Sequence, residues 1–422
     1  MKAQLIQRPL YMQFLADWKN EDVIKVVSGV RRSGKSTLFE MFRKQLKDEG
    51  VQSAQIININ FEEFDFLYLC DPEKLYSYIK EKIQLRQQYY IFLDEIQNVE
   101  SFERVVNSLH LNKNLDIYIT GSNAYFMSGE LATFLSGRYV ELRILPLSFQ
   151  EFISSKDGDK SNLRKYYNEY LQTSFPYAIS LDATKKQQYL EGIYSTVVLK
   201  DIVQRFTVTD VGTLEKIIRY LYAEIGSFQN INKITNTMIS FGNKITHKTV
   251  AKYIEGIEDS LLVYKAERYN VKGRKVFSGT AKYYAVDNGL RKFIAGDRVE
   301  DFGHILENVV YLELLRRGYQ VYVGMVDMLE VDFLAIDSKG ERLYIQVAHN
   351  TENEATLMRE LKPLQAIKDH HPKLLLTMDE ILTNQNFDGI VKMGVLEWLI
   401  SSVLFLDEKY QKSRLRLLRS KN

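Results

Sequence analysis

The chain has 422 residues, with 56 Lys and Arg against 54 Asp and Glu and a net charge of +2. That length predicts roughly two to four domains, each with its own core, and the balanced charge excludes a wholly basic nucleic-acid surface, leaving only local patches. The single cysteine, Cys70, excludes a disulfide framework and points to a reducing compartment.

The N-terminal stretch from Met1 to Arg8 lacks a secretory apolar core, and the apolar run from Val395 to Leu406 is short and broken by Glu397. The expectation is a cytoplasmic protein with no membrane segment. The first element is a β-rich run of Val23, Ile24, Val26 and Val27. It leads into Gly29-Val30-Arg31-Arg32-Ser33-Gly34-Lys35-Ser36 and Thr37, which fits the phosphate-loop pattern G-x-x-x-x-G-K-[ST]. A helix from Thr37 to Lys44 follows. Strand, glycine loop and helix start place backbone N–H groups at the positive end of a helix dipole, where an anion binds. Gly29, Arg31, Arg32, Ser33, Gly34, Lys35, Ser36 and Thr37 are therefore the candidate nucleotide-binding residues. Lys35 would reach the β- and γ-phosphates and Ser36 would ligate Mg²⁺, so ATP and Mg²⁺ are the expected cofactors.

Ile56, Ile57, Ile59 and Phe61 mark a second strand, and Pro72 opens a helix to about Leu85. The run Tyr89-Tyr90-Ile91-Phe92-Leu93-Asp94-Glu95 reads as a buried parallel strand with two carboxylates at the end where ligands bind. Asp94 would hold the magnesium shell, and Glu95 could polarise the attacking water. The strand from Asp116 to Thr120 ends in Gly121-Ser122-Asn123. Asn123 or Thr120 could orient the same water or touch the γ-phosphate, unless the segment is a plain Gly-Ser-Asn turn. Arg138, ahead of a strand from Val140 to Leu145, would contact the γ-phosphate in its own or a neighbouring subunit, or form a structural ion pair.

The phosphate-loop run through Thr37, Leu-Asp-Glu-Ile-Gln at 93–97, Thr-Gly-Ser-Asn, Ser-Gly-Arg and Leu-Pro-Leu-Ser-Phe at 145–149 together resemble a prokaryotic AAA-type (AAA+) ATPase family. The likeness covers nearly the whole chain. It implies ATP hydrolysis and an extra strand between the phosphate-loop strand and the Asp-Glu strand. The family's Gly-Gly-Pro step in the lid is replaced here by Thr173-Ser174-Phe175-Pro176, a departure from the family's pattern.

From Ser148 to Phe206 the pattern is helical, with Tyr166, Tyr167, Tyr170 and Leu171 on one stripe and Tyr194, Val197, Val198 and Ile202 on another. This reads as a helical lid. Lys200, Asp201 and Arg205 could sense nucleotide from it, though surface charge is the preferred reading. Helices at 214–225, 231–239 and from Thr246, then a hairpin carrying Arg268, Lys272, Arg274 and Lys275, have the proportions of a winged helix. On DNA, His247, Lys248 and Lys252 would face the major groove. Glu255, Glu258 and Asp259 favour protein contact instead. Farther on, Glu307 on a helix, Glu330 and Asp332 on one side of a strand, and Gln346-Val347-Ala348 on the next follow the order of the PD-(D/E)XK nuclease fold. Gln346 and Ala348 replace the acidic ligand and the lysine, and His349 would point to the opposite face, so cleavage is not expected.

The expected fold is α/β: a P-loop NTPase parallel sheet with a helical lid, then a winged helix, then a PD-(D/E)XK-like α/β domain. The expected boundaries are 1–146, 147–208, 209–298 and 299–422. The candidate catalytic residues are Glu95, Lys35, Asn123 and Arg138, and the candidate metal ligands are Ser36 and Asp94. The leading function is an ATP-driven switch coupled to the C-terminal domains. The alternatives are a DNA-acting ATPase and a nucleotide-stabilised protein-interaction module. ATP is the expected partner, with DNA through the winged helix and a protein partner or homo-oligomer as further candidates.

Overall fold

Short apolar strands covered by helices on both faces build the first sheet, as a parallel arrangement requires. The structure is a computed structural model that describes residues 5–84, 87–121, 135, 137–156, 158, 160–296, 302–380 and 385–401. The strands are β1 (Ile24–Ser28), β2 (Ile56–Asn60), β3 (Tyr89–Asp94), β4 (Leu115–Thr120) and β5 (Tyr139–Arg143). They pair in the order β2-β3-β4-β1-β5, all parallel. β4 therefore lies between β1 and β3, as the resemblance implied.

Among the described residues, four helices accompany this sheet: α1 (Pro9–Asp17), α2 (Lys35–Asp48), α3 (Pro72–Lys82) and α4 (Phe102–His110). α2 buries Leu38, Phe39, Phe42 and Leu46. Its two phenylalanines meet Phe92 and Tyr118 of the sheet, with ring centroids 5.1–6.4 Å apart. Edge-on ring pairs of this kind each add about 0.5–1.5 kcal/mol beyond area burial. They fix the helix whose first residue is Lys35. β1 also buries Lys25, which pairs with Asp116 of β4 at 2.6 Å and donates to the Glu21 carbonyl at 2.8 Å. Removing either partner would leave an uncompensated buried charge, a loss of about 3–5 kcal/mol.

The chain divides into two compact units that interleave along the sequence. The first takes residues 1–147, 174–218 and 248–263, and the second takes the remainder. The stretch expected as a single lid, 147–208, is divided between the two units. Helices Phe149–Ser154 and Leu163–Tyr170 belong to the second unit. There Phe149 packs on Tyr167 and Tyr170 at 5.9 and 5.5 Å, so the tyrosine stripe is core packing. Ser148 and Glu151 cap the first of these helices reciprocally. Helix Ala183–Thr196 and the π-helix Val197–Gln204 remain with the first unit.

Among the described residues the second unit holds one sheet: β6 (Phe228–Gln229), β7 (Val263–Asn270), β8 (Lys275–Ala285), β9 (Gln320–Val326), β10 (Leu329–Ile336), β11 (Arg342–Ala348), β12 (Lys373–Thr377), β13 (Gln385–Phe387) and β14 (Ile390–Gly394). Their order is β13-β14-β12-β11-β10-β9-β7-β8-β6. The expected wing hairpin, β7–β8, joins this sheet through parallel pairing of β7 with β9. Strands from both sides of the expected boundary at residue 298 thus share one ladder. Helices Val211–Ala223, Ile231–Ser240 and His247–Asp259 form where the winged-helix reading placed them. No helix among the described residues is long and apolar enough to cross a membrane.

Candidate functional site

The loop between β1 and α2 owes its shape to two glycines. A Cβ on Gly29 would lie 2.5 Å from the Ile144 carbonyl oxygen, and Gly34 adopts φ 102° at the helix N-cap. No side chain caps α2, so its first-turn N–H groups face the loop. Arg8 braces the loop from behind by donating to the Ser33 carbonyl at 3.1 Å and the Leu145 carbonyl at 2.8 Å. The Ser33 hydroxyl is fully buried inside the loop and meets no hydrogen-bond partner among the described residues. An inward-facing donor of that kind, beside bare helix N–H groups, fits a phosphate.

Lys35 is 4 % exposed, and its ammonium donates to the carbonyls of Gly29 at 3.0 Å and Val30 at 3.4 Å. It also lies 3.9 Å from Glu95. The Ser36 hydroxyl hydrogen-bonds Asp94, and Thr120 donates to the same carboxylate. Burial pushes the Asp94 carboxyl above its ordinary range, while these two hydrogen bonds pull it back. Ser36 and Asp94 form a hard oxygen pair suited to Mg²⁺, which takes one or two carboxylates and completes its shell with phosphates and water. Among the described residues no group of three or more His, Cys, Asp or Glu forms a cage.

Glu95 follows the β3 strand in a left-handed conformation, φ 57° and ψ 47°. Its N–H donates to Thr120 Oγ1 at 3.0 Å, and its carboxylate accepts from Gln97 Nε2 at 2.6 Å. Thr120 therefore ties Asp94 and Glu95 together, a bracing contact different from the water-orienting position expected of it. Gln97 and Arg8 are contributors that the sequence reading passed over. The signal for Gln97 was its place two residues after Glu95; for Arg8 there was none.

Arg31 is half-buried, whereas Arg32 (φ 66°), Ser36 and Thr37 are exposed. Asn123 lies outside the described residues. Arg138 is exposed, and its carbonyl accepts from Ile24 N at the N-terminal ends of β1 and β5. The phosphate loop leaves the other end of β1, so the structure does not bring Arg138 to the phosphates of its own chain. Asp201 is a clearer correction. The preferred reading was surface charge, yet it is buried and bonded to Arg31 at 2.9–3.1 Å. Lys200 is exposed, and Arg205 lies 4.0 Å from Asp259.

In the second unit Lys282 of β8 occupies the region of Glu307, Glu330 and Asp332. Its ammonium lies 2.6 Å from Glu330 and 3.4 Å from Glu307, which also accepts from the Tyr284 hydroxyl at 3.3 Å. Burial alone would lower the Lys282 pKa, but Glu307, Asp332 and Glu330 hold it raised. Asp332 accepts from Val347 N at 2.8 Å, and burial, with Glu307 nearby, pushes its carboxyl well up. Gln346 turns to Glu360 at 3.0 Å.

The chain is similar to several known proteins. A family model described as an AAA domain matches residues 21–153, and a Domain of unknown function (DUF8612) matches residues 163–301. An uncharacterized protein of Haemophilus influenzae is 40% identical over 404 residues, 95% of this chain and 100% of its own length. One from Methanocaldococcus jannaschii is 30% identical over 430 residues, 96% of this chain and 91% of its own. Among solved structures, a Walker-type ATPase of Pyrococcus abyssi matches with a TM-score of 0.47 and 15% identity, covering 69% of this chain and 97% of that one.

Proposed function

The chain belongs to the same family as these Haemophilus and Methanocaldococcus proteins and carries an AAA domain, and from that premise we propose that it is a magnesium-dependent, ATP-hydrolysing switch. Its hydrolytic cycle would act on C-terminal winged-helix and PD-(D/E)XK-like regions. The observation that carries the reading is the joint placement of Lys35, Ser36, Asp94 and Glu95 around the phosphate loop. Bound ATP and Mg²⁺ supply the scissile phosphoanhydride and the charge neutralisation that phosphoryl transfer needs. Lys35 turns its ammonium from the loop carbonyls to the phosphates. Ser36 and Asp94 would hold the cation. Glu95, fixed by Gln97 and Thr120, accepts the proton of the attacking water. Retention of both magnesium ligands weighs against a purely structural role for nucleotide.

Steady-state turnover and nucleotide binding test this directly. Lys35→Ala should abolish ATP binding, while Glu95→Gln should bind normally and lose about 10²–10⁴-fold in turnover. Equal turnover in wild type and Glu95→Gln would remove Glu95 from its role.

A further inference from the structure

Asp201 is 2 % exposed and lies on the buried side of the π-helix Val197–Gln204, with Val197, Val198 and Ile202. π-helical turns are rare and concentrate at functional sites. The Asp201 carboxylate accepts from Arg31 Nε at 2.9 and 3.1 Å and from Nη2 at 3.0 Å. Such a forked pair is the stronger class of charge-assisted hydrogen bond. The remaining amino group of Arg31, Nη1, lies 3.7 Å from Glu62 and 4.0 Å from Glu95. One guanidinium thus spans the carboxylate assigned to water activation and a helix 170 positions later in the chain.

Arg31 belongs to the phosphate loop itself, and Lys35 stands on the other side of Glu95 at 3.9 Å. A γ-phosphate entering between these cations offers three acceptor oxygens and more charge than a carboxylate. Arginine binds phosphate and carboxylate with the same fork, so the two compete for it. We propose that the Arg31–Asp201 pair is a nucleotide-responsive latch: a γ-phosphate draws Arg31 away from Asp201 and releases the segment 197–204, and loss of that phosphate restores the pair. The latch rests on the ATP reading above and adds the element that responds. Because coupling is reciprocal, a tighter hold on segment 197–204 weakens triphosphate binding by the same factor.

The test uses the full chain with Mg²⁺ and either adenylyl imidodiphosphate or ADP. Asp201→Asn should bind the triphosphate analogue about fivefold or more tightly, with ADP affinity nearly unchanged. In an Arg31→Ala background the same substitution should change nothing. In wild type, the analogue but not ADP should speed amide hydrogen exchange at 197–204. An unchanged affinity in Asp201→Asn overturns the latch. So does an equal gain in the Arg31→Ala background, which would mark a general charge effect. Should Asp201→Asn not fold, the exchange measurement on wild type decides alone, and no change at 197–204 rejects the latch. Failure of wild type to bind either nucleotide would instead remove the ATP reading itself.

Discussion

Asp332 shows what burial does to a single carboxylate in this chain. Its folded pKa is raised by burial first and by Glu307 next, and Lys282 only partly offsets them. A carboxyl raised on folding favours the folded state least once the unfolded chain ionises, so stability falls as pH climbs above the ordinary value of 3.8. Asp332→Asn keeps an acceptor for Val347 N and does not titrate. It should therefore raise the unfolding midpoint by about 2–4 °C at pH 8.5, with a smaller gain at pH 5.5. Thermal unfolding at both values checks this, and an equal or negative shift at both counts against it. The single-residue placements legible in the sequence were those set by short motifs: Lys35 and Ser36 in the loop, and Asp94 and Glu95 at the end of β3, lie close together as their spacing predicts. Asp201 was not legible, because its partner is 170 positions away. Its place beside Val197, Val198 and Ile202 did carry a signal, since a carboxylate on an apolar helix face needs a counter-charge.

Among elements, the strands of the first sheet were readable from their apolar runs, and the β7–β8 hairpin from its flanking β-rich residues. Its membership in a nine-stranded sheet was not, since β7 and β9 are separated by 49 residues and pair in parallel. The hairpin's cations also divide in a way that composition hides. Lys272 pairs with Asp327 at 2.7 Å, and Arg268 lies over the rings of Phe228 and Phe277 at 5.2 and 5.6 Å. Arg274 and Lys275 are exposed. If the hairpin meets duplex DNA, these two should carry the salt dependence, at roughly 0.9 of log–log slope per phosphate contact. The Arg274→Ala/Lys275→Ala double variant should then flatten the slope by about 1.8, while Lys272→Ala changes it little. Binding absent at low salt, or untouched by the double variant, makes the hairpin a protein-contact element.

On the scale of the whole molecule, the two units interleave in sequence, and that changes what the C-terminal region can be. The order Glu307, Asp332, Gln346 follows the nuclease pattern, but fold likeness does not decide chemistry. The sequence left Glu307 without a named donor, because the lysine that pairs with it stands before the expected boundary, on β8. Lys282 is 4 % exposed and sits where these carboxylates converge. A metal-dependent cut needs a cation free to activate water, together with ligands free to hold it. Here the lysine itself occupies Glu307 and Glu330, Asp332 is committed to Val347, and Gln346 to Glu360. The full chain should therefore cleave neither single- nor double-stranded DNA or RNA with Mg²⁺ or Mn²⁺, with or without ATP. Lys282→Met should destabilise the fold, since it leaves carboxylates buried without their cation, a cost of about 3–5 kcal/mol. Nuclease assays across both metals, with Asp332→Ala as control, decide the matter. Cleavage that disappears in Asp332→Ala and in Lys282→Met would show that Lys282 fills the catalytic lysine's place instead of the metal's.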